Sequence, residues 1–437
     1  MQNNKNKTAV METKPIPKLI LSYSSATFFA LFFDALYNIV DTLFISHGIG
    51  DNAMGGVSVV FPFMMIQAAI AQMVGGGAAA LAAKHLGEKD YKKAGSITAN
   101  AMLIFYSTAI LTTILGFIFM SPVLKLSGVT DDIIPYAKEY FSIILIGNVF
   151  STGFSSIIRA EGRMGYSLAI WLIPTAVNIF LDYIFISVID MGVKGAALAT
   201  VIGYFTSFLM SVIFFTKISC QDFSDIKINR HTAEDILIIG IPTLIQMSSM
   251  SLIFLLINRL LSKFGGSTAV NTFAYVSKIA MLAVVPINAT AQAISPIISY
   301  NYGADNKARI KDTLNLALLF TEFYTVIAAA CAFLAPKFFI NIFTDNYEII
   351  SEGAKALQMI SPTLIFIPVV IILSSYFQST GKKSKAIISS AGIIVFLIIL
   401  LIVMPNIYNL NGIWISIPIS YVLSTVLAVS LKIKCKI

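Results

Sequence analysis

Six polar residues of the first half stand inside otherwise apolar runs: Asp34, Tyr37, Asp41, Asn178, Asp182 and Thr200. An ionisable side chain at the centre of a lipid-crossing helix costs about 2.5–3.5 kcal/mol, so each acid calls for a function or a partner. Asp34, Tyr37 and Asp41 are spaced three and four apart, which puts them on one helical face, and Asn178 and Asp182 share a face one turn after Pro174. Asp41 and Asp182 each precede an outer turn (His47, Val188) by about six residues, and Thr200 follows Gly195 by five. At ~1.5 Å per residue the three sit at one depth, roughly 8 Å below the outer surface. Two carboxyls, an amide and a hydroxyl gathered there would bind a proton or a small monovalent cation. Mutual repulsion raises one carboxyl's pKa, so the pair would hold one proton or one cation at neutral pH. The plainer alternative is hydrogen-bonded contact between helices or exposure to an outer vestibule. Asp34 lies two turns deeper and could face a substrate cleft, where it would attract a cationic ligand. Pro174 deprives the Ile170 carbonyl of its helical partner and predicts a bend beside the acids, static or mobile.

The second half is poorer in acids. Glu322 and Lys278 are expected to form a structural ion pair, with a second coupling site as the alternative, while Arg259 is near enough to an outer edge to snorkel. Phe61 and Met64 belong to an aromatic and Met-rich stretch that could line a pliable substrate pocket or simply face core and lipid. Gly75, Gly76 and Gly77 lack the Gly-Lys-Ser/Thr of a nucleotide loop and predict close helix packing. His47, His85, His231, Cys220, Cys331 and Cys435 are scattered, which argues against a metal centre, a hydrolytic triad or a disulfide framework. No cofactor is expected. The coupling ion would be H+ or Na+, and the sole metal would be Na+ at Asp41, Asn178, Asp182 and Thr200.

The elements that must position these residues follow from composition. A chain of 437 residues that is 57% hydrophobic and 12% charged cannot fold as a soluble globule, and its apolar runs are long enough to cross a bilayer as helices. The runs do not alternate as barrel strands do. The breaks predict twelve helices near 18–46, 53–83, 96–120, 136–158, 167–188, 195–216, 236–262, 270–299, 312–335, 354–377, 387–405 and 412–431. With the N-terminus inside, 22 Lys and Arg fall on the inner side and 6 on the outer, so both termini are expected in the cytoplasm of a multi-pass inner-membrane protein. The polar first segment has no apolar core or cleavage site, so helix 1 is expected to serve as the targeting signal. The basic residues are dispersed, so the net charge of +8 does not point to nucleic acid.

The chain also repeats. Ile45–Ala53 pairs with Leu261–Ala269 and Leu86–Asp90 with Tyr302–Asn306; Ser155, Ser156 and Gly162 pair with Ser374, Ser375 and Gly381, and Gly195–Tyr204 pairs with Gly412–Tyr421. The expected architecture is all-α and integral to the membrane, two six-helix bundles related by a pseudo-two-fold axis along the membrane normal around a central cleft. Its parts are a tail 1–17, an N-terminal lobe 18–216, a linker 217–235, a C-terminal lobe 236–431 and a tail 432–437.

Leu36–Asp41, Leu86–Tyr91, Arg159–Gly162, Asn178–Asp182 and Gly195–Thr200 together resemble the multidrug and toxic compound extrusion (MATE) family over nearly the whole chain. The resemblance implies a V shape and efflux of cationic or amphipathic drugs in exchange for protons or sodium. It also implies, in one branch of the family, a cation site in the N-terminal lobe that maps onto Asp41, Asn178, Asp182 and Thr200. Another branch uses acids in helices 7, 8 and 10, which hold none here. Ala26 stands where relatives commonly have proline, which counts against a mechanism that relies on a proline bend of helix 1, and Asp34 stands where they often have an amide. The extra charge predicts a preference for strongly cationic substrates.

The reading is an antiporter, not an enzyme, acting as a monomer on small cationic or amphipathic molecules within the lipid bilayer. Its rivals are a lipid-linked oligosaccharide flippase, for which extra helices or an Arg/Lys-rich cleft would be expected, and a membrane prenyltransferase, for which an Asp-rich magnesium motif would be needed.

Overall fold

The computed structural model describes residues 10–49, 51–126, 133–150, 153–342 and 347–434. Within the helices some side chains, including those of 34–43, 46–48 and 248–252, lie outside the description. The apolar runs all become helices, because a backbone in lipid must satisfy its own N–H and C=O groups.

In chain order these are α1 Ile16–Gly48, α2 Asp51–Gly87, α3 Tyr91–Leu126, α4 in two parts, Ile134–Gly147 with a 3-10 turn Asn148–Phe150 and then Phe154–Ala160, α5 Met164–Asp182 and α6 Val193–Ile213. Both α5 and α6 end in π-helical turns, Tyr183–Val188 and Phe214–Ile218. The continuous stretch Arg230–Gly303 is broken by Gly266 (φ 64°), giving α7 (230–265) and α8 (267–303). Next come α9 Lys307–Leu334, a short helix Pro336–Asn341, and α10, whose parts Tyr347–Ile360 and Thr363–Ser379 bend by 49°. Lys383–Ile433 is broken at Asn409 (φ 49°) into α11 (383–408) and α12 (410–433). Among the described residues these twelve numbered helices follow the predicted order.

The internal repeat is visible in the turns. Positive φ recurs at paired positions: Lys89 (61°) with Asp305 (53°), Gly162 (78°) with Gly381 (67°), and Gly192 (60°) with Asn409 (49°). The helix-ending bonds match too: Asp90 N–H donates to His85 O at 2.8 Å, and Asn306 N–H to Asn301 O at 2.9 Å. This is the six-to-one bond that closes a helix on a left-handed residue.

The described residues divide into two compact units, one built from 10–14 and 25–240, the other from 15–24 and 241–434. The first unit is centred on Ile45, Val60, Tyr140, Phe141, Ile144, Ile186 and Ala196, so α1, α2, α4, α5 and α6 meet there. The second is centred on Leu261, Phe273, Ile340, Leu357, Leu397, Leu401 and Trp414. Close packing at the glycine run is present. A Cβ on Gly75 would stand 2.6 Å from Gly153 O, and one on Gly77 would collide with Ile236 O at the start of α7.

Segment 219–229, expected as part of a polar linker, is fastened to the first unit. Ser96 Oγ and Asn100 Nδ2 donate to Lys227 O (2.8 and 2.9 Å), Asn229 N–H donates to Asn100 Oδ1 (3.1 Å), and Asp222 N–H donates to Tyr91 O (3.0 Å). Helix α7 then begins at Arg230, six residues earlier than the apolar pattern suggests; at its start His231 N–H donates to Asn229 Oδ1 at 2.9 Å, and Arg230 and Glu234 pair across the first turn at 2.8 Å.

Candidate ion site in the first unit

The site is built where α5 packs against α6. Gly203 faces α5 there, and a Cβ on it would be in ordinary contact, 3.4 Å from Pro174 O and 3.5 Å from Asn178 Cβ. One turn earlier on α6, Thr200 faces the same neighbour. Its hydroxyl donates to Ala196 O at 3.1 Å, and Asn178 Nδ2 approaches Thr200 Oγ1 at 3.5 Å. Asp182 follows Asn178 by one turn at the last residue of α5, where the helix widens into its π-helical turn. Such turns are rare and occur often at functional sites, because they reorient side chains at a cost in regular hydrogen bonding.

Asp182 is 0% exposed, Thr200 2% and Asn178 3%. Asn178 Oδ1 is buried without a hydrogen-bond partner among the described residues. An unmatched buried acceptor costs about 1–3 kcal/mol, and a bound cation or hydronium-like donor would satisfy it. A carboxylate, an amide oxygen and a hydroxyl form an all-oxygen set, suited to a proton or a hard monovalent cation and unsuited to zinc or copper. Among the described residues no group of three His, Cys, Asp or Glu could hold a metal ion. Pro174 is buried inside α5.

The structure thus brings Asn178 and Thr200 together, with Asp182 one turn along. Asp34, Tyr37 and Asp41 lie on the α1 backbone, but their side chains are outside the described ones. Of the pocket candidates, Met64 packs against the first unit's core and Phe61 is 43% exposed. The ion pair expected between Lys278 and Glu322 does not form: Lys278 is exposed, and Glu322 Oε1 is buried without a hydrogen-bond partner. Glu322 is half-buried on α9 beside the exposed Leu319, Phe323 and Val326, and matching depth along two helices does not bring it to Lys278.

Two buried charges were not assigned a role from sequence. Arg159 is 6% exposed, and its guanidinium donates to Ser156 Oγ at 2.8 Å and to Ser167 Oγ at 3.4 Å. Glu161, 0% exposed in the turn between α4 and α5, accepts from the Ser219 hydroxyl and from the Cys220 N–H at 2.9 Å. Burial pushes the Glu161 carboxyl above its ordinary range, while the bonds from Ser219 and Cys220 and the charge of Arg163 pull the other way. Burial and the neighbouring carboxylate push the Cys220 thiol up, so it is unreactive. The signal for Glu161 was its place in Arg159–Gly162, a motif that sequence alone ties to no chemistry.

The family model MatE matches residues 26–184 and 242–406, which take in most of both units and reach α1 and α5 of the site but not α6. The chain belongs to the MatE family. Members of the MATE family are multi-pass membrane transporters and not enzymes. The multidrug export protein MepA of Staphylococcus aureus (strain NCTC 8325 / PS 47) is 22% identical over 377 residues, 85% of this chain and 83% of its own. MepA of Staphylococcus haemolyticus is 22% identical over 411 residues, 92% and 90% of the two chains. Among solved structures, an outward-facing multidrug resistance MATE transporter of the MOP superfamily superposes with TM-score 0.87 at 23% identity, over 97% and 96% of the chains. A MATE transporter in a bent conformation gives 0.88 at 24%, over 97% and 95%. A MOP-superfamily transporter of Pyrococcus furiosus, described by a binding pocket of reverse polarity that suggests a different function, gives 0.88 at 22%, over 98% and 97%. At these identities the solved structures establish the MATE fold, twelve helices in two bundles.

Proposed function

We propose that this MATE-family chain is a secondary active antiporter that exports small organic cations or amphipathic drugs in exchange for H+ or Na+. The relatives named as multidrug export proteins support the cargo class. The observation that carries the coupling site is the burial of Asp182, Asn178 and Thr200 where α5 meets α6. Asp41, on α1, is the expected second carboxyl. Binding of the ion from outside would favour the conformation that releases drug; its loss inside would favour the one that rebinds drug. Coupling then requires only that ion and drug prefer different conformations. Asp34 would draw more strongly cationic substrates toward the same half.

Drug efflux from everted vesicles under separately imposed proton and sodium gradients tests the reading. Wild type should respond to one gradient, and Asp41→Asn and Asp182→Asn should abolish the response. Gradient-driven efflux at wild-type rate by Asp182→Asn contradicts it.

A further inference from the structure

The strap 219–229 leads from the end of α6 to the start of α7 and takes no part in the ion site. Its backbone is held by side chains of α3. Ser96 Oγ and Asn100 Nδ2 both donate to Lys227 O, Lys227 N–H donates to Ser96 Oγ at 3.2 Å, and Asn229 N–H donates to Asn100 Oδ1. Ser96 and Asn100 are themselves buried, so they are fixed partners for this backbone. Ile226 and Ile228 flank the clamped Lys227, and both are left open, 48% and 66% exposed.

Two exposed isoleucines scattered on a surface call for no explanation, but the place of these two does. Helical spacing along α3 from Ser96 gives Asn100, Leu103, Ser107, Ile110, Ile114 and Ile118 on one face. From Leu103 onward every one of these is exposed and all but Ser107 are apolar, as expected of a side turned to lipid. The strap therefore lies across the Ser96 end of a lipid-facing stripe. Its level is set as well. Ala101–Met120 is the apolar run of α3, long enough at ~1.5 Å per residue to fill a hydrocarbon core ~30 Å thick. Asn100 is the residue just before that run, so the residues it holds lie where acyl chains meet headgroups. Lys227 Nζ and the Asp225 carboxylate, both exposed, pair at 3.6 Å, and the lysine stem is long enough to keep that pair on the wet side.

We infer that the bilayer itself is the partner of this strap: Ile226 and Ile228 insert among the acyl chains beside α3 and pin the connection before α7 to the membrane. At that depth a backbone finds little water, and Ser96 and Asn100 supply the hydrogen bonds that water would otherwise give to Lys227 and Asn229. A loop standing clear in water would need neither side chain. The two isoleucines extend the apolar stripe of α3, so the occupant of the stripe is also theirs.

The test uses the full chain in vesicles of phosphatidylcholine and phosphatidylglycerol, with Cys331→Ser and Cys435→Ser and with the buried Cys220 left in place. A nitroxide is attached through Ile226→Cys, Ile228→Cys, Ser224→Cys or Leu111→Cys, one at a time. Electron paramagnetic resonance then reads its collisions with molecular oxygen, which concentrates among acyl chains, and with a neutral nickel chelate, which stays in water. Ser224 is an exposed position of the same strap, and Leu111 an exposed position midway along the apolar run of α3. The labels at 226 and 228 should show an oxygen-to-nickel ratio several-fold above that at 224, approaching that at 111. A ratio at 226 and 228 equal to that at 224 puts the strap in water and overturns the inference. Shielding of both labels from both reagents overturns it too, in favour of a protein partner or a second copy of the chain. No transport is measured, so the result stands apart from the export reading.

Discussion

The two halves share one scaffold and differ in what they bury. Where α5 of the first unit buries Asn178 and Asp182, the matching positions of α11 are Leu397 and Leu401, both in the second unit's core, and Thr200 is matched by Ile417 packed on that core. Where the first unit buries Arg159 and Glu161, the second has Gln378 and Thr380. The second half is instead held by neutral hydroxyls: Ser375 Oγ donates to Ala291 O at 2.9 Å, Ser299 Oγ to Ser379 O at 3.0 Å, and the Ser374 and Ser390 hydroxyls meet at 2.6 Å. At these matched positions apolar side chains build the same packing, so Asn178 and Asp182 are not demanded by the scaffold, which is the physical argument for proposing them in transport.

The sharpest way to break that contrast is a pair of changes at matched positions. Asp182→Asn should lower gradient-driven efflux by at least about 100-fold, as expected for loss of the coupling carboxyl, with thermal unfolding in detergent close to wild type. Leu401→Ala should do the reverse, keeping coupled efflux while costing about 2–5 kcal/mol of stability. Next in size is Gly77→Ala. The second half already carries Ala293 at the matched position, but in the first half the added methyl meets Ile236 O, so a loss of about 1–3 kcal/mol is expected, read as a lower unfolding temperature.

Glu161→Ala leaves the Ser219 hydroxyl and Cys220 N–H without their acceptor and should cost about 1–3 kcal/mol, whereas Thr380→Ala should cost about 1 kcal/mol or less. The pH dependence has a definite sign. Burial raises the folded carboxyl above its unfolded value, so the contribution is full below the unfolded pKa and is lost as pH rises through the folded one. The unfolding temperature of wild type relative to Glu161→Gln should therefore climb as the medium is acidified through that window; a flat difference removes Glu161 from the account. The smallest expected effect is Thr200→Ala, about a fivefold loss of apparent ion affinity in transport assays, with Thr200→Ser restoring it.

Much of this was legible in the residues. Apolar runs separated by basic turns specify spanning helices strongly, so the twelve elements and their order follow from length and charge. The repeat was readable because left-handed turns constrain sequence: Gly162 and Gly381 hold positive φ at paired positions, as do Gly192 and Asn409. The α5 and α6 pairing was readable because helical spacing fixes which residues share a face. Other features depend on tertiary packing. The π-helical turn after Asp182 has no local signature in Tyr183–Val188, since widening a helix costs too little to be written in composition. The binding of segment 219–229 to the first unit depends on Ser96, Asn100 and Glu161, residues more than a hundred or some sixty positions distant. The Lys278 and Glu322 pairing failed because depth along a helix says nothing of rotation about its axis.

The central claim is that the proposed site between α5 and α6 exchanges an ion for drug. It is tested most directly by measuring the ion released to an unbuffered solution when a cationic drug is added to the purified protein, with a proton-sensitive dye in one arm and a sodium-sensitive dye in the other. The account predicts release of one kind of ion by wild type and none by Asp182→Asn. Undiminished release by Asp182→Asn would contradict it.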